Sequence, residues 1–255
     1  YNDETIKILT KNRQAKKSIQ LANQMGEKLN QFVFAQTENI LAANKIPAII
    51  GGDHSVPFGA FQAIAKKYSD YGILHIDAHS DTRCAYEGFT WSHASIMYNA
   101  LENIPQIKKL VQVGIRDFCE EEYNYISQTK KDIVSVSFDS QLAQQKMLGI
   151  NWDKITKKII APLPKNVWIS FDIDGLDPRF CPNTGTPVPG GLDFNEAIYL
   201  ISSMVRSGRK IIGFDLNEVS PGVNQESEWD ANVGARLLYK LTAWTLVSQG
   251  LVKLL

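Results

Sequence analysis

Ile73-Leu74-His75-Ile76-Asp77-Ala78-His79-Ser80-Asp81 reads as a short buried strand that runs into three metal ligands. Ile73 to Ile76 is a brief, largely apolar run, the pattern of a strand covered on both faces of a parallel sheet. Asp77, His79 and Asp81 then fall at alternate positions. If extended geometry persists, side chains two apart share a face, so two carboxylates and an imidazole converge. Neighbouring buried carboxylates repel, and one stays protonated unless a cation joins them. The spacing therefore points to a bound metal; the competing reading is a surface turn with solvated acids.

Outward from this stretch the chain alternates between strand and helix patterns. Before it, Asp3 to about Asn44 is helical, with Ile8, Ile19, Met25, Leu29, Val33 and Ile40 among its apolar positions. Ile46 to Ile50 is a strand ended by Gly51-Gly52, and Phe58 to Lys67 a helix. Beyond it, strands are expected over Leu110–Ile115, Ile133–Phe138, Val167–Phe171 and Lys210–Leu216. Helices are expected over Glu120–Ser127, Trp152–Ile160, Asn195–Arg206 and Asn232–Val247. This order predicts an α/β three-layer sandwich with a mainly parallel central sheet.

A chain of 255 residues, 44% hydrophobic, can bury one large core, so a single domain over 1–255 is expected. Lys+Arg and Asp+Glu both number 27, which offers no basic stripe for nucleic acid and favours small polar partners. Cys84, Cys119 and Cys181 are odd in number and far apart, so no disulfide framework is expected and a reducing, cytoplasmic setting fits. No apolar run approaches the roughly 18 residues that suggest a membrane span, and no signal peptide pattern heads the sequence. The abrupt start at Tyr1-Asn2-Asp3 suggests a piece of a longer protein.

The acids and histidines collect at strand ends. Gly51-Gly52-Asp53-His54 follows one strand, Asp77 to Asp81 another, Asp172-Ile173-Asp174-Gly175-Leu176-Asp177-Pro178 a third, and Asp215-Leu216-Asn217-Glu218 closes a fourth. In an open parallel sheet these ends share one edge, where ligands bind. His54, Asp77, His79, Asp81, Asp172 and Asp174 exceed what one catalytic ion usually draws, so a two-metal site is the economical hypothesis. Mostly carboxylate ligands with some imidazole favour manganese over magnesium, nickel, iron or zinc. His75 lies deeper in its strand and reads as a core or supporting residue. His93, in Phe89-Thr90-Trp91-Ser92-His93-Ala94-Ser95, suits a proton carrier on a loop folded over the metals; the alternative is a packed loop histidine.

These motifs resemble the ureohydrolases, the arginase and agmatinase family. Gly51 to Ser55, Asp77 to Asp81 and Ser170 to Pro178 look like its three signatures, joined by Gly185-Thr186-Pro187-Val188-Pro189-Gly190-Gly191 and the Glu218 segment. The resemblance runs from about Ile46 to Val247. It implies one manganese on His54, Asp77, Asp81 and Asp172, and a second on Asp77, His79, Asp172 and Asp174, with Asp77 and Asp172 bridging. It also implies a guanidino substrate oriented by Glu218, proton transfer by His93, release of urea and an amine, and a homotrimer or homohexamer.

Departures bear on the substrate. Family agmatinases commonly have His-Gly where this chain has His93-Ala94, and arginases have asparagine where it has Arg83. Arg83 could pair with a substrate carboxylate or repel a long cationic tail. Tyr86 to Phe89, Tyr98 and Glu228-Trp229-Asp230 resemble an agmatinase-like subgroup that includes guanidine hydrolases, which adds Trp229 as a substrate contact and Ni2+ as an alternative metal. The leading expectation is an agmatinase-like amidinohydrolase. The alternatives are guanidine hydrolase, arginase, guanidinobutyrase or formimidoylglutamase activity, and an inactive metal-binding homologue. The N-terminal strand usual in the family is not evident, so an incomplete amino terminus is expected.

Overall fold

The computed structural model describes residues 13–222 and 227–253. Six described strands form one sheet: β1 (Ala48–Ile50), β2 (Tyr71–Ile76), β3 (Ile107–Ile115), β4 (Val134–Phe138), β5 (Asn166–Asp172) and β6 (Lys210–Asn217). Their order is β1-β6-β5-β2-β3-β4, and every pair is parallel. All carboxyl ends therefore emerge at one edge. The chain leaves β2 towards β3 on one side and β5 towards β6 on the other, so connections diverge between the adjacent strands β2 and β5. Such a switch point opens a crevice in an open α/β sheet.

The helices are α1 (Arg13–Ala42), α2 (Phe58–Lys67), α3 (Ile96–Asn103), α4 (Glu120–Asn124), α5 (Asp139–Met147), α6 (Trp152–Ile160), α7 (Phe194–Arg206) and α8 (Trp229–Ser248). Alternation along the strands feeds two cores. Leu74, Ile76, Ile169 and Phe171 pack with Ile155, Leu200, Met204 and Leu237 of α6, α7 and α8. Ile73, Leu110, Trp168 and Ile212 pack with Phe61, Ile64 and Met97 of α2 and α3. The three-layer α/β sandwich expected from the sequence is what forms.

Several boundaries move. β2 starts at Tyr71 and β3 at Ile107, while α3 and α5 have no counterpart in the sequence reading. The long first helix corrects another expectation: Met25 and Leu29 are exposed, whereas Asn30, Thr37 and Leu41 are buried. The inner face is thus mixed, with Val33, Phe34 and Leu41 packed on the core beside buried Asn30 and Thr37; Ile8 lies outside the described residues. Among the described residues, no helix is long and apolar enough to cross a membrane.

One close approach couples the core to the sheet edge. A Cβ on Gly213 would stand 2.2 Å from Trp168 Cζ3. The indole cannot give way, because it is fully buried, packs edge-on to Phe61 at 5.6 Å, and donates Nε1–H to Asp215 Oδ2. Gly213→Ala is expected to cost about 1–3 kcal/mol through overpacking, read as a lower urea midpoint; an unchanged midpoint refutes the tight fit.

Candidate metal centre and active-site cleft

Asp77 immediately follows β2, and Asp172 ends β5, so both stand at the switch point. Asp77 is completely buried, and its two oxygens face different partners. Oδ2 lies 2.8 Å from His75 Nε2 and 3.0 Å from His54 Nδ1. Oδ1 accepts the His79 backbone N–H at 2.6 Å and lies 3.4 Å from His79 Nδ1. His54 Nδ1 is also 3.2 Å from Asp172 Oδ2 and 3.5 Å from Asp81 Oδ2. His79 Nδ1 is 3.1 Å from Asp174 Oδ2. The cluster thus has two lobes that share Asp77, with ligand-type atoms within 4.8 Å of one another in each.

Turns, not a continuing strand, achieve this convergence. β2 stops at Ile76, and Asp81 has φ 54, a left-handed backbone. Asp174 sits in a single 3-10 turn over Ile173–Gly175 and donates its N–H to Asp172 Oδ1 at 2.9 Å. The shared-face expectation for Asp77, His79 and Asp81 was therefore right about convergence and wrong about its geometry.

Hydrogen bonding fixes the histidine tautomers. Gln112 Nε2 donates to the Ser80 carbonyl at 2.7 Å and lies 3.0 Å from His75 Nδ1. The Ser80 carbonyl requires a donor, so the amide nitrogen faces it and gives its other hydrogen to His75 Nδ1. The neutral His75 ring then carries its proton on Nε2 and donates it to Asp77. This makes His75 a support for Asp77 and not a ligand, even though its Nε2 lies within the cluster. For His54, Nε2 lies 2.8 Å from Ser170 Oγ, which itself donates to Asp215 Oδ1 at 2.9 Å. Ser170 can only accept from Nε2–H, so Nδ1 is the ring atom that meets the three carboxylates. A proton on Nδ1 satisfies them, and a cation that displaced it would gain the Nδ1 lone pair and the carboxylate oxygens together, so this donor set fits a metal ion.

Electrostatics agree. Among the described residues, no Lys or Arg forms an ion pair with Asp77, Asp81, Asp172 or Asp174. Burial and the neighbouring Asp77 hold Asp81 well above the usual carboxylate range. Burial, Asp174 and Asp77 do the same to Asp172, and burial and Asp77 raise Asp174. Burial opposes charge on Asp77 as well, but His75, His54 and His79 outweigh it and hold this carboxyl well below its ordinary value. Burial would lower His54 and His79; bonds to Asp172, Asp215 and Asp77 instead hold His54 well above its usual value, while Asp174 and Asp77 push His79 up to about 11.

Without a cation, protons would take its place among these carboxylates, and His79, pushed up to about 11, would carry one at neutral pH. Protons and metal compete for the same atoms. Metal binding is expected to release protons near pH 7 and to tighten as pH rises towards about 11, the value for His79. Titrating metal into the metal-free protein in weak buffer with a pH indicator checks this; binding without acidification sinks it.

Above the cluster lies a cleft of about 140 Å3, lined by His79, Asp81, Arg83, Tyr86, His93 and Asp117 together with Glu122 and Thr186. His93 opens the 3-10 turn His93–Ser95, with its ring 6.1 Å from that of Tyr86. Glu218 has φ 61 and accepts the His54 N–H on Oε1 at 2.9 Å. Burial raises its carboxyl, an effect that the His54 N–H and the nearby His93 partly oppose. Asp81 and Glu218 are both non-glycine residues in a left-handed backbone, and such strain clusters at functional sites.

Arg83 lines the cleft, but its Nε is 3.4 Å from Glu122 Oε2 and its Cζ 5.2 Å from the Tyr86 ring centre. Trp229 is not brought to the site. It is 48% exposed, donates Nε1–H to the Arg179 carbonyl, and lines a separate surface groove with Phe180 and Phe194. The layer behind these side chains is Gln112, Trp168, Ser170, Asp215 and Asn217; the sequence motifs include Ser170, Asp215 and Asn217 without assigning them a role, and leave out Gln112 and Trp168. The available signal was polar residues at alternate positions near the ends of β5 and β6.

A buried two-lobed His/Asp cluster at the switch point of an all-parallel sheet places the chain among metal-site α/β proteins. It belongs to the arginase family, whose model matches residues 9–243. N(1)-aminopropylagmatine ureohydrolase of Thermus thermophilus is 33% identical over 216 residues, which are 84% of this chain and 68% of that protein. Agmatinase of Escherichia coli is 34% identical over 221 residues, 86% of this chain and 65% of that one. The chain thus spans about two thirds of these relatives' lengths. Agmatine ureohydrolase of Thermoplasma volcanium superposes with a TM-score of 0.72 at 29% identity, covering 86% of this chain and 69% of that one. Arginase of Bacillus caldovelox gives a TM-score of 0.69 at 26% identity, with 88% and 76% covered.

Proposed function

We propose that this chain is an agmatinase-like ureohydrolase, which hydrolyses a guanidino C–N bond to urea and an amine at a two-ion centre. The observation that carries the reading is Asp77, whose two oxygens serve separate lobes of one buried cluster. His54, Asp77, Asp81 and Asp172 would hold one ion, and Asp77, His79, Asp172 and Asp174 the other. Mostly carboxylate donors favour Mn2+, with Ni2+ second. When bound, the ions would acidify a water for attack on the guanidinium carbon.

The chain's own groups supply the rest. Glu218, held at Oε1 by the His54 N–H, offers its remaining lone pairs to the N–H groups of a guanidinium. His93, on the cleft wall, carries a proton to the departing amine. His75 and Ser170 keep Asp77 and His54 turned inward. A cleft of about 140 Å3 suits a guanidinium on a narrow tail.

The Arg83 contacts favour an amine-tailed substrate over an amino acid. Its charge already meets Glu122 and its plane lies by Tyr86, so it is a poor grip for a substrate carboxylate. The agmatinase and aminopropylagmatine ureohydrolase relatives, named for amine-tailed substrates, support the same choice. Arg83→Ala would release Glu122 and make the cleft more negative. Selectivity for agmatine over arginine is expected to rise about fivefold, the effect of roughly 1 kcal/mol for one charge at a solvated site. Unchanged rates on every substrate would exclude Arg83 from tail recognition.

A urea-release screen over agmatine, aminopropylagmatine, arginine, guanidinobutyrate and guanidine, with formimidoylglutamate followed by formamide release, tests the assignment. Each is run with Mn2+ and with Ni2+. Turnover of agmatine or aminopropylagmatine above the rest is expected; no turnover of any compound overturns the reading. A cytoplasmic setting, one domain over the 255 residues and trimeric or hexameric assembly complete the proposal by family resemblance.

A further inference from the structure

Helix α1 lays one face across the loop that leads to His93. Residues 19, 23 and 26 follow the helical spacing of a single face. The loop tip is a two-residue hairpin, in which Tyr86 N–H donates to Phe89 O at 3.2 Å and Phe89 N–H to Tyr86 O at 2.8 Å. Its central residues, Glu87 and Gly88, have φ 51 and φ 89. This turn needs positive φ at both positions, which suits Gly88 and strains Glu87.

The helix braces that strained tip from outside. Asn23 Nδ2 donates to Gly88 O at 3.0 Å, and Asn23 Oδ1 accepts Thr90 N–H at 2.9 Å. The two bonds need opposite ends of one amide and so fix its orientation. An added Cβ at Gly26 would stand 2.8 Å from Trp91 Cβ, which shows how closely helix and loop approach. Trp91 packs on Phe58 at 4.9 Å, and Ser92 Oγ accepts Ala94 N–H at 3.2 Å to start the turn bearing His93. On its other side the hairpin presents Tyr86 to the cleft.

We propose that Asn23 is a positioning residue that acts by clamping the Gly88–Thr90 backbone, thereby setting where Tyr86 and His93 stand above the metal cluster. The inference rests on the proton-carrying role given to His93 under Proposed function. Asn23 itself touches neither the cluster residues nor the cleft. Its effect on turnover therefore passes through the hairpin and the His93 turn.

The test compares wild type, Asn23→Ala, His93→Ala and the double variant, all loaded with Mn2+ and assayed on the guanidino compound that the wild type turns over fastest. Alanine favours helix, so α1 persists in the variant. Hydrogen exchange in the 86–93 segment is expected to quicken about tenfold in Asn23→Ala, with metal content unchanged. Its kcat is expected to fall about tenfold, within the range that a displaced catalytic group costs. In the His93→Ala background, Asn23→Ala should lower kcat less than twofold, because both changes act through one group. Unchanged exchange overturns the clamp. Unchanged kcat, or losses that multiply in the double variant, overturns the positioning role even if thermal stability falls. If His93→Ala alone leaves the rate intact, the role given to His93 fails, while the exchange result still decides the clamp.

Discussion

Asp77→Ala is expected to empty both metal positions at once, taking bound metal from about two ions per chain to near zero and urea release with it. Most ligand substitutions should remove one ion, since each of those residues serves one lobe. Asp174, for example, faces His79 at 3.1 Å and should be largely a one-ion loss. Asp77 differs because Oδ2 faces His54 while Oδ1 faces His79 and its backbone. Its removal also unseats His75, whose Nε2 would keep a buried donor without a partner. Metal analysis after gel filtration, side by side with Asp174→Ala, measures the difference. Two ions per chain in Asp77→Ala with urea production intact sinks the shared-ligand assignment.

His93→Ala is expected to lower kcat by about 10²–10⁴, the usual contribution of a positioned acid or base, while both ions stay bound. The imidazole lines the cleft beside Tyr86 and is not part of either lobe. Added imidazole should restore part of the rate, because the vacated space opens on the cleft. A full rate without His93 removes proton transfer from its role. A loss of metal alongside the rate would instead make His93 a structural support of the cluster.

Much of the fold could be read from the sequence because parallel strands are short apolar runs that end in punctuation. Phe58–Lys67 and Trp152–Ile160 were placed to the residue, since their apolar periods are clear. Asp139–Met147 escaped because it buries only Leu142, and Ile96–Asn103 because it continues directly from the His93 turn. The buried His/Asp cluster was legible through its spacing at strand ends. The layer behind it was not, because Ser170 meets Asp215 only through the pairing of β5 with β6, and register between distant strands has no local signature. Trp229 lies in a segment that resembles the agmatinase-like subgroup, yet the Arg179 carbonyl takes its Nε1–H, a contact that motif likeness cannot reveal. The place of Asn23 on α1 was hidden for a similar reason: it serves a loop 65 residues away.

Asp81 combines two costs in one residue: a left-handed backbone at φ 54 and a buried carboxyl whose charge Asp77 opposes. Glycine would relieve the backbone cost and, without bound metal, the charge cost as well. Glu218 shares the backbone strain, but its bond to the His54 N–H offsets part of it. Directed evolution of this chain for heat resistance alone should therefore converge on glycine at position 81 before position 218. The survivors would be sturdier proteins that had given up a carboxylate proposed to hold metal, so any such selection has to score turnover in the same round.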